Sequence, residues 1–219
     1  MINIIISCVK TIPERSNEIF HAIRQNNQNP LIKSITLMSE DRGAAEFLND
    51  MEKGKFIHTQ ERVRFVDVVN YANSVFDGEL VIITNADIYF DETLPTNLPD
   101  NYALCLTRWH PPLDLHNPSV IAQHWPVAVS FDTYMFRPIV RIDNIDFKMG
   151  IPGCDNRFAY ELHAAGLLVV NPSKTVRSFH VHGSSIRTYE EKERLGGKYL
   201  KIEPVEDIEY NRSNISYER

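Results

Sequence analysis

The N-terminal part of the chain alternates between short apolar runs and amphipathic segments. The apolar runs at residues 2–6, 32–38 and 80–84 are rich in β-branched side chains, which is typical of strands buried on both faces. The segments at residues 14–27 and 65–76 place their apolar side chains at helical spacing. This alternation predicts an α/β fold of the Rossmann-like kind, with a mostly parallel central sheet and helices on both faces.

The rest of the chain has a less regular pattern. Residues 109–126, with prolines, histidines and tryptophans, are typical of a loop. The pattern 128–137 favours a strand on which Asp132, Tyr134 and Phe136 share a face. The remaining predicted elements are helices over 44–51 and 155–165 and strands over 56–57, 102–107, 167–170 and 176–181. The 219 residues suit one large domain over 1–182 and a polar extension over 183–219, partly wrapped on the surface or mobile.

The apolar run at 80–83 leads directly into an acidic turn. Asn85, Asp87 and Asp91 fall within seven residues. A buried parallel strand delivers such side chains to the carboxyl edge of the sheet, where open α/β sheets bind ligands. Carboxylates at that edge suit a hard divalent cation, and the cation suits a diphosphate. We therefore expect Asp87 to bind a ligand or a metal ion, whereas Asp91 can equally cap a short helix.

Two further candidates lie in the second half of the chain. Asp155 follows a turn at 150–153 and opens a predicted helix, so it is either the helix N-cap or a functional carboxylate. The helix N-terminus should lower its pKa and keep it ionised at neutral pH. His180 and His182 project to the same face of a strand, as metal-binding histidines often do. Ordinary hydrogen-bonded histidines are the alternative.

Composition narrows the class of protein. With 23 basic and 29 acidic residues, the formal net charge of -6 argues against a protein that coats nucleic acid. The three scattered cysteines indicate neither a disulfide framework nor a zinc cluster, which fits a reducing cytoplasm. The apolar start is too short for a signal peptide, and no apolar run reaches the length of about 18 residues that a membrane span needs. We expect a cytoplasmic protein with, at most, peripheral contact with the membrane.

Three stretches together resemble the glycosyltransferases of the GT-A fold, in particular the small bacterial polysaccharide-type members of family 2. They are the strand 2–6, the strand 80–84 with its acidic turn, and the segment 153–166, Gly-Cys-Asp-Asn-Arg-Phe-Ala-Tyr-Glu-Leu followed by Ala-Gly after two further residues. The resemblance covers roughly residues 1–182. It implies a nucleotide-sugar donor, with a UDP-sugar favoured, a divalent cation such as Mn²⁺ or Mg²⁺, and hexosyl transfer to a glycan or lipid-linked acceptor in polysaccharide biosynthesis.

The resemblance also implies roles for single residues. Asn85-Ala86-Asp87 matches the metal-binding DxD motif, with Asn in place of the first acid, so Asp87 is the implied metal ligand and Asn85 contacts the ribose. His180 would complete the metal site. Asp155 matches the catalytic base that takes a proton from the acceptor hydroxyl, with Cys154 where the family has Glu.

The other implied site residues divide between donor and acceptor. Ser7 at the end of the first strand and Arg64 before the second helix are placed with the donor, although a salt-bridged surface role is the alternative for Arg64. From the sequence itself we place Asp132, Arg157 and Trp109 on the acceptor side, although Arg157 could instead serve a phosphate, and a plain packing role is the alternative for the tryptophan.

Other functions share some of these features. A sugar-phosphate nucleotidyltransferase would need a glycine-rich loop after the first strand, and residues 7–15 contain no glycine. A metal-dependent hydrolase built on Asp87, His180 and His182 lacks a second histidine-rich motif. The departures at Asn85 and Cys154 keep open a catalytically degenerate domain that binds a nucleotide sugar without turnover.

Overall fold

The computed structural model describes residues 1–9, 13–111, 122–138, 141–181 and 189–218. The helices are α1 Pro13–Gln28, α2 Phe65–Val75 and α3 Cys154–Ala164, with 3-10 helices at Arg42–Leu48, Glu191–Glu193 and Arg212–Asn214. The strands are β1 Ile2–Ser7, β2 Ile32–Ser39, β3 Gly54–His58, β4 Leu80–Asn85, β5 Ile88–Phe90, β6 Tyr102–Leu106, β7 Trp109–His110, β8 Gln123–His124, β9 Thr133–Phe136, β10 Leu168–Val170, β11 Ser178–His180, β12 Tyr199–Ile202 and β13 Ile215–Glu218.

The central sheet has seven strands in the order β10-β6-β9-β4-β1-β2-β3. Its pairs are parallel except where β9 lies antiparallel between β4 and β6. The predicted mostly parallel α/β sheet is therefore confirmed. Because the parallel strands share one direction, the ends of β1, β4 and β6 come to the same edge.

Hydrophobic cores on both faces fix the helices against this sheet. Along β1, Ile6 packs with Ile19 of α1 on one face, and Ile5 packs with Phe65 and Phe158 on the other. The rings of Phe65, from α2, and Phe158, from α3, stack with their centroids 4.1 Å apart. Each such buried side chain contributes roughly 1.5–3 kcal/mol. The two helices that open at the carboxyl edge are therefore held in one core.

A second, smaller sheet joins distant parts of the chain in the order β5-β11-β7-β8. Strand β11 pairs antiparallel with β5, His180 opposite Ile88, and parallel with β7, Phe179 opposite Trp109. Strand β5 directly follows Asp87, and β7 directly follows Arg108. Because both strands pair with β11, the small sheet brings the turn after β4 and the end of β6 next to β11.

The C-terminal region forms the antiparallel hairpin β12–β13. Leu200 and Ile202 of β12 are buried in the core that contains α3. Asn156 Nδ2 donates to the Leu200 carbonyl at 2.9 Å, and the Ile202 amide donates to the Ala128 carbonyl at 3.0 Å. The described part of the predicted extension therefore supports the start of α3.

Several predicted elements differ from the observed ones. The predicted strand 128–137 is limited to β9, because the preceding residues bond to other parts of the chain, as Ala128 does to β12. The predicted loop 109–126 contains the pair β7–β8, and the predicted helix 44–51 is the 3-10 helix Arg42–Leu48. No helix follows Asp91, whose Oδ1 instead accepts from the Thr93 amide at 3.0 Å. In the ranges that the structure describes, no helix has both the length and the apolar character to cross a membrane.

Candidate functional site

Polar side chains collect at the carboxyl edge of the central sheet. Ser7 at the end of β1 lies in register with Asn85 at the end of β4. Arg108 follows β6 closely. Because β9 runs antiparallel, its first residue, Thr133, pairs with the end of β4, and Asp132 just before it lies at the same edge. The parallel strands and the antiparallel β9 therefore bring Asp132, Arg108 and the polar ends of β1 and β4 to one edge of the sheet.

Asp87 is the centre of this cluster and is only 5% exposed. Its Oδ2 contacts Arg15 Nη2 and lies 3.0 Å from His180 Nε2. Its Oδ1 is also buried and has no hydrogen-bond partner among the described residues. Burial alone would raise the pKa of Asp87, but His180 and Arg15 hold it well below its usual range. The carboxylate is therefore ionised at neutral pH, with one oxygen open to a further partner.

Arg108 links the two halves of the cluster. Its Nη1 lies 3.1 Å from His180 Nδ1, its Nη2 donates to Ser130 Oγ at 2.9 Å, and its Nε lies 2.7 Å from Asp132 Oδ2. Asn85 Nδ2 donates to Asp132 Oδ1 at 3.4 Å. A guanidinium can only donate, so His180 Nδ1 accepts from Arg108. The proton of the imidazole is then on Nε2, which faces the carboxylate of Asp87. Donor-side and acceptor-side candidates thus form one network.

Asp155 lies in the first turn of α3 and not at its N-cap, contrary to one of the two sequence interpretations. The N-cap is Gly153, whose φ of 81° is the left-handed conformation that glycine adopts readily. Asp155 is partly buried, and Cys154 Sγ donates to its Oδ1 at 3.1 Å. Burial and the negative charge of Asp132 raise its pKa from an ordinary 3.8 to about 7. The expected lowering of this pKa by the helix N-terminus is therefore wrong.

Backbone contacts from other elements hold the turn before Asp155. The Arg62 guanidinium donates to the Met149 carbonyl at 2.8 Å and to the Gly150 carbonyl at 2.6 Å. Tyr134, which faces the same core from β9, donates through its hydroxyl to the backbone carbonyl of Asp155 at 3.0 Å. These contacts fix the carboxylate on the side of the cluster where Asp132 lies.

The residues at Asp87 suit a cation that a substrate helps to hold. No group of three histidines, cysteines or acids that could bind a metal occurs within the described ranges. Ions such as Mg²⁺ are commonly held by one or two protein side chains, with phosphate oxygens and water in the other positions. Asp87 Oδ2 and His180 Nε2, which lie 3.0 Å apart, are the two side-chain atoms that would hold such an ion. The unpartnered Oδ1 is a further donor atom.

Three predicted site residues have their described contacts elsewhere. Arg64 pairs with Asp67 and with Asp146, the latter at 2.7 Å, at the start of α2. Arg157 pairs with the buried Glu161 of its own helix at 2.7 Å. Trp109 donates through Nε1 to the Ser173 carbonyl at 2.6 Å. Their roles toward donor or acceptor stay predictions.

The sequence interpretation omitted Arg15 and Arg108. Each follows a strand of the central sheet, Arg15 after β1 at the start of α1 and Arg108 after β6. Arg108 lies two residues beyond the carboxyl end of β6, which is a signal that could have singled it out, whereas Arg15 lies eight residues beyond β1 and has no such signal. His182, also considered from the sequence, lies outside the described residues.

Two solved structures with a similar fold are glycosyltransferases. One is the mannosyltransferase PcManGT from Pyrobaculum calidifontis in complex with GDP-Man and Mn²⁺, with a TM-score of 0.56 and 12% identity over 84% of this chain and 57% of that chain. Another is GalNAc-T7 with UDP, GalNAc and Mn²⁺, with a TM-score of 0.56 and 9% identity over 87% of this chain and 44% of that chain. This chain thus spans about half the length of these proteins.

The comparisons define the fold and leave the family open. No protein-family model and no curated protein sequence matches this chain. The seven-stranded, mostly parallel sheet and its helices match the GT-A-like architecture of nucleotide-sugar transferases. The predicted fold is therefore confirmed.

Proposed function

We propose that this protein is a glycosyltransferase that moves a hexose from a nucleoside-diphosphate sugar to a hydroxyl group of a glycan or lipid-linked acceptor. The observation that carries the proposal is the joint position of Asp87, His180, Asp132 and Asp155 at the ligand-binding edge of a GT-A-like sheet. The polysaccharide-type resemblance to family 2 supports the acceptor class.

The donor would lie against the ends of β1 and β4. Ser7 and Asn85 are neighbours there and offer polar groups to the nucleoside. Asp87 and His180 would hold a divalent cation, and the chemistry that such an ion supplies when bound is neutralisation of the diphosphate leaving group. The neighbours bound to GDP-Man and to UDP, each with Mn²⁺, support this donor class.

Asp155 would act on the acceptor. A pKa of about 7 places it near neutral pH, where a general base is both ionised and basic enough to accept a proton. The acceptor hydroxyl would give its proton to a carboxylate oxygen of Asp155 while the hydroxyl oxygen attacks the anomeric carbon and the bond from that carbon to the diphosphate breaks, which releases the nucleoside diphosphate. Asp132 pairs with Arg108, and its negative charge contributes to the raised pKa of the base. The chain therefore has separate groups for the leaving group and for the nucleophile.

Nucleotide binding and turnover together test the proposal. The purified protein is titrated with UDP and GDP, with Mn²⁺ or with a chelator, and is then incubated with UDP- and GDP-sugars while nucleotide release is measured. We expect binding that Mn²⁺ tightens and slow donor hydrolysis that Asp155→Asn reduces. Binding without any turnover on supplied glycan acceptors would favour the degenerate binding domain, and absence of nucleotide binding would refute the proposal.

A further inference from the structure

Arg15 contacts one of the two carboxylate oxygens of Asp87, the candidate cation ligand. It lies in the first turn of α1, and its side chain is only 17% exposed. Its Nη2 contacts Asp87 Oδ2, and its Nε pairs with Glu18 Oε2 at 3.2 Å. The guanidinium therefore bridges one acid of its own helix and the acid of the candidate cation site.

This contact competes with a free divalent ion. The oxygen that Arg15 contacts is the same Oδ2 that lies 3.0 Å from His180 Nε2, so an ion that bound through this oxygen and His180 would have to displace the guanidinium. A free ion therefore loses much of the affinity that an open Asp87 would offer.

A diphosphate changes this balance. Its oxygens offer the guanidinium a bidentate partner of the kind that arginine prefers. Glu18, three residues along α1, keeps Arg15 near the site during the exchange. When an ion arrives together with the diphosphate, the diphosphate therefore replaces Asp87 as the partner of Arg15 while the ion binds Asp87.

We propose that Arg15 makes Asp87 poorly accessible to free divalent ions and couples their binding to that of the donor diphosphate. Arg15 is then a positioning residue that selects the metal–nucleotide complex over either part alone. The inference rests on the proposed function, because it assumes that Asp87 is the cation ligand and that the donor carries a diphosphate.

Metal affinity tests this coupling without turnover. Mn²⁺ is titrated by calorimetry into the parent protein and into the variants Arg15→Gln, Asp87→Asn and Arg24→Gln, each alone and with saturating UDP or GDP. Arg24 is an exposed arginine of the same helix and is the matched control. We expect Arg15→Gln to bind free Mn²⁺ about tenfold more tightly than the parent and Arg24→Gln to match the parent.

The titrations separate the possible failures. In the parent, the nucleotide should raise the affinity for Mn²⁺ strongly. In Arg15→Gln, the ratio of the Mn²⁺ affinities with and without nucleotide should be about tenfold smaller. If Arg15→Gln and Arg24→Gln bind free Mn²⁺ equally, the coupling role is refuted while the proposed function stands. If Asp87→Asn binds Mn²⁺ like the parent in the presence of saturating nucleotide, Asp87 is not the cation ligand and the inference also fails. If the parent binds neither nucleotide, the proposed function itself is refuted.

Discussion

Replacing Asp155 with asparagine removes the charge of the candidate base and keeps the shape of its side chain. Gly153 is the N-cap of α3, so this substitution leaves the cap unchanged. The effect on stability therefore comes from the carboxylate alone. Because the pKa of Asp155 is raised from 3.8 to about 7, the folded state holds the proton more tightly than the unfolded state does.

The sign and size of the effect follow from that difference. As the pH rises from about 4 to about 7, the unfolded chain has already lost the proton that the folded protein retains, so the parent loses stability. At about 1.36 kcal/mol per pH unit, the ceiling of this loss is about 4 kcal/mol. Since Asp155 is only partly buried, solvent reduces this value, and we expect about 1–2 kcal/mol. We expect Asp155→Asn to show no such loss of stability, because asparagine does not titrate.

Urea unfolding at pH 5 and at pH 8 measures this directly. The stability of Asp155→Asn relative to the parent should improve by about 1–2 kcal/mol between these pH values. Asp207→Asn, at an exposed carboxylate, serves as the control and should show no such change. If the difference in the free energy of unfolding between Asp155→Asn and the parent does not change with pH, the environment assigned to Asp155 is refuted. In the same protein, sugar transfer should fall by on the order of 10²–10⁴-fold, and transfer at the parent rate would remove Asp155 as the base.

The remaining predictions concern the donor, the pH profile and the core. Asp87→Asn should weaken nucleotide binding in Mn²⁺ by about tenfold, or about 1.4 kcal/mol, in calorimetry, and parent-like affinity would contradict a cation at this residue. Chelation should weaken nucleotide binding to the parent and change that of Asp87→Asn little. The transfer rate should rise with pH through an apparent pKa near 7, because only ionised Asp155 accepts a proton, and a flat profile from pH 6 to 8 would exclude this. Phe65→Ala should lower the free energy of unfolding by about 3–5 kcal/mol in urea, because its ring is buried against Phe158.

The sequence predicted the central sheet because its strands are long and their pattern is local. Residues 2–6 and 80–84 are buried on both faces, and their continuous apolar runs reflect this directly. The small sheet was missed in part because β7 and β8 have only two residues each, which is too short for any periodicity. Their pairing depends on strands far away along the chain.

The residues of the candidate site were likewise predicted only in part. Asp87 and His180 were paired through resemblance, and the structure places them in contact. Arg15 and Arg108 were missed because an arginine reaches its partner through a long side chain whose direction no local pattern encodes. The direction of the Asp155 pKa was wrong because the helix N-terminus is a local feature, whereas burial and the charge of Asp132 come from tertiary structure.

The small sheet has a consequence for which changes of length the chain tolerates. His180 faces Asp87 only in the register that sets it opposite Ile88 on β5 and sets Phe179 opposite Trp109 on β7. A slip of β11 by one residue would turn His180 to the other face of the sheet. We expect an insertion between the exposed Lys174 and Thr175 to leave this register intact, whereas a single-residue insertion or deletion within Ser178–His180 would remove His180 from Asp87 and Arg108 together. Three residues of backbone pairing thus set the tolerance of the whole cluster to changes in chain length.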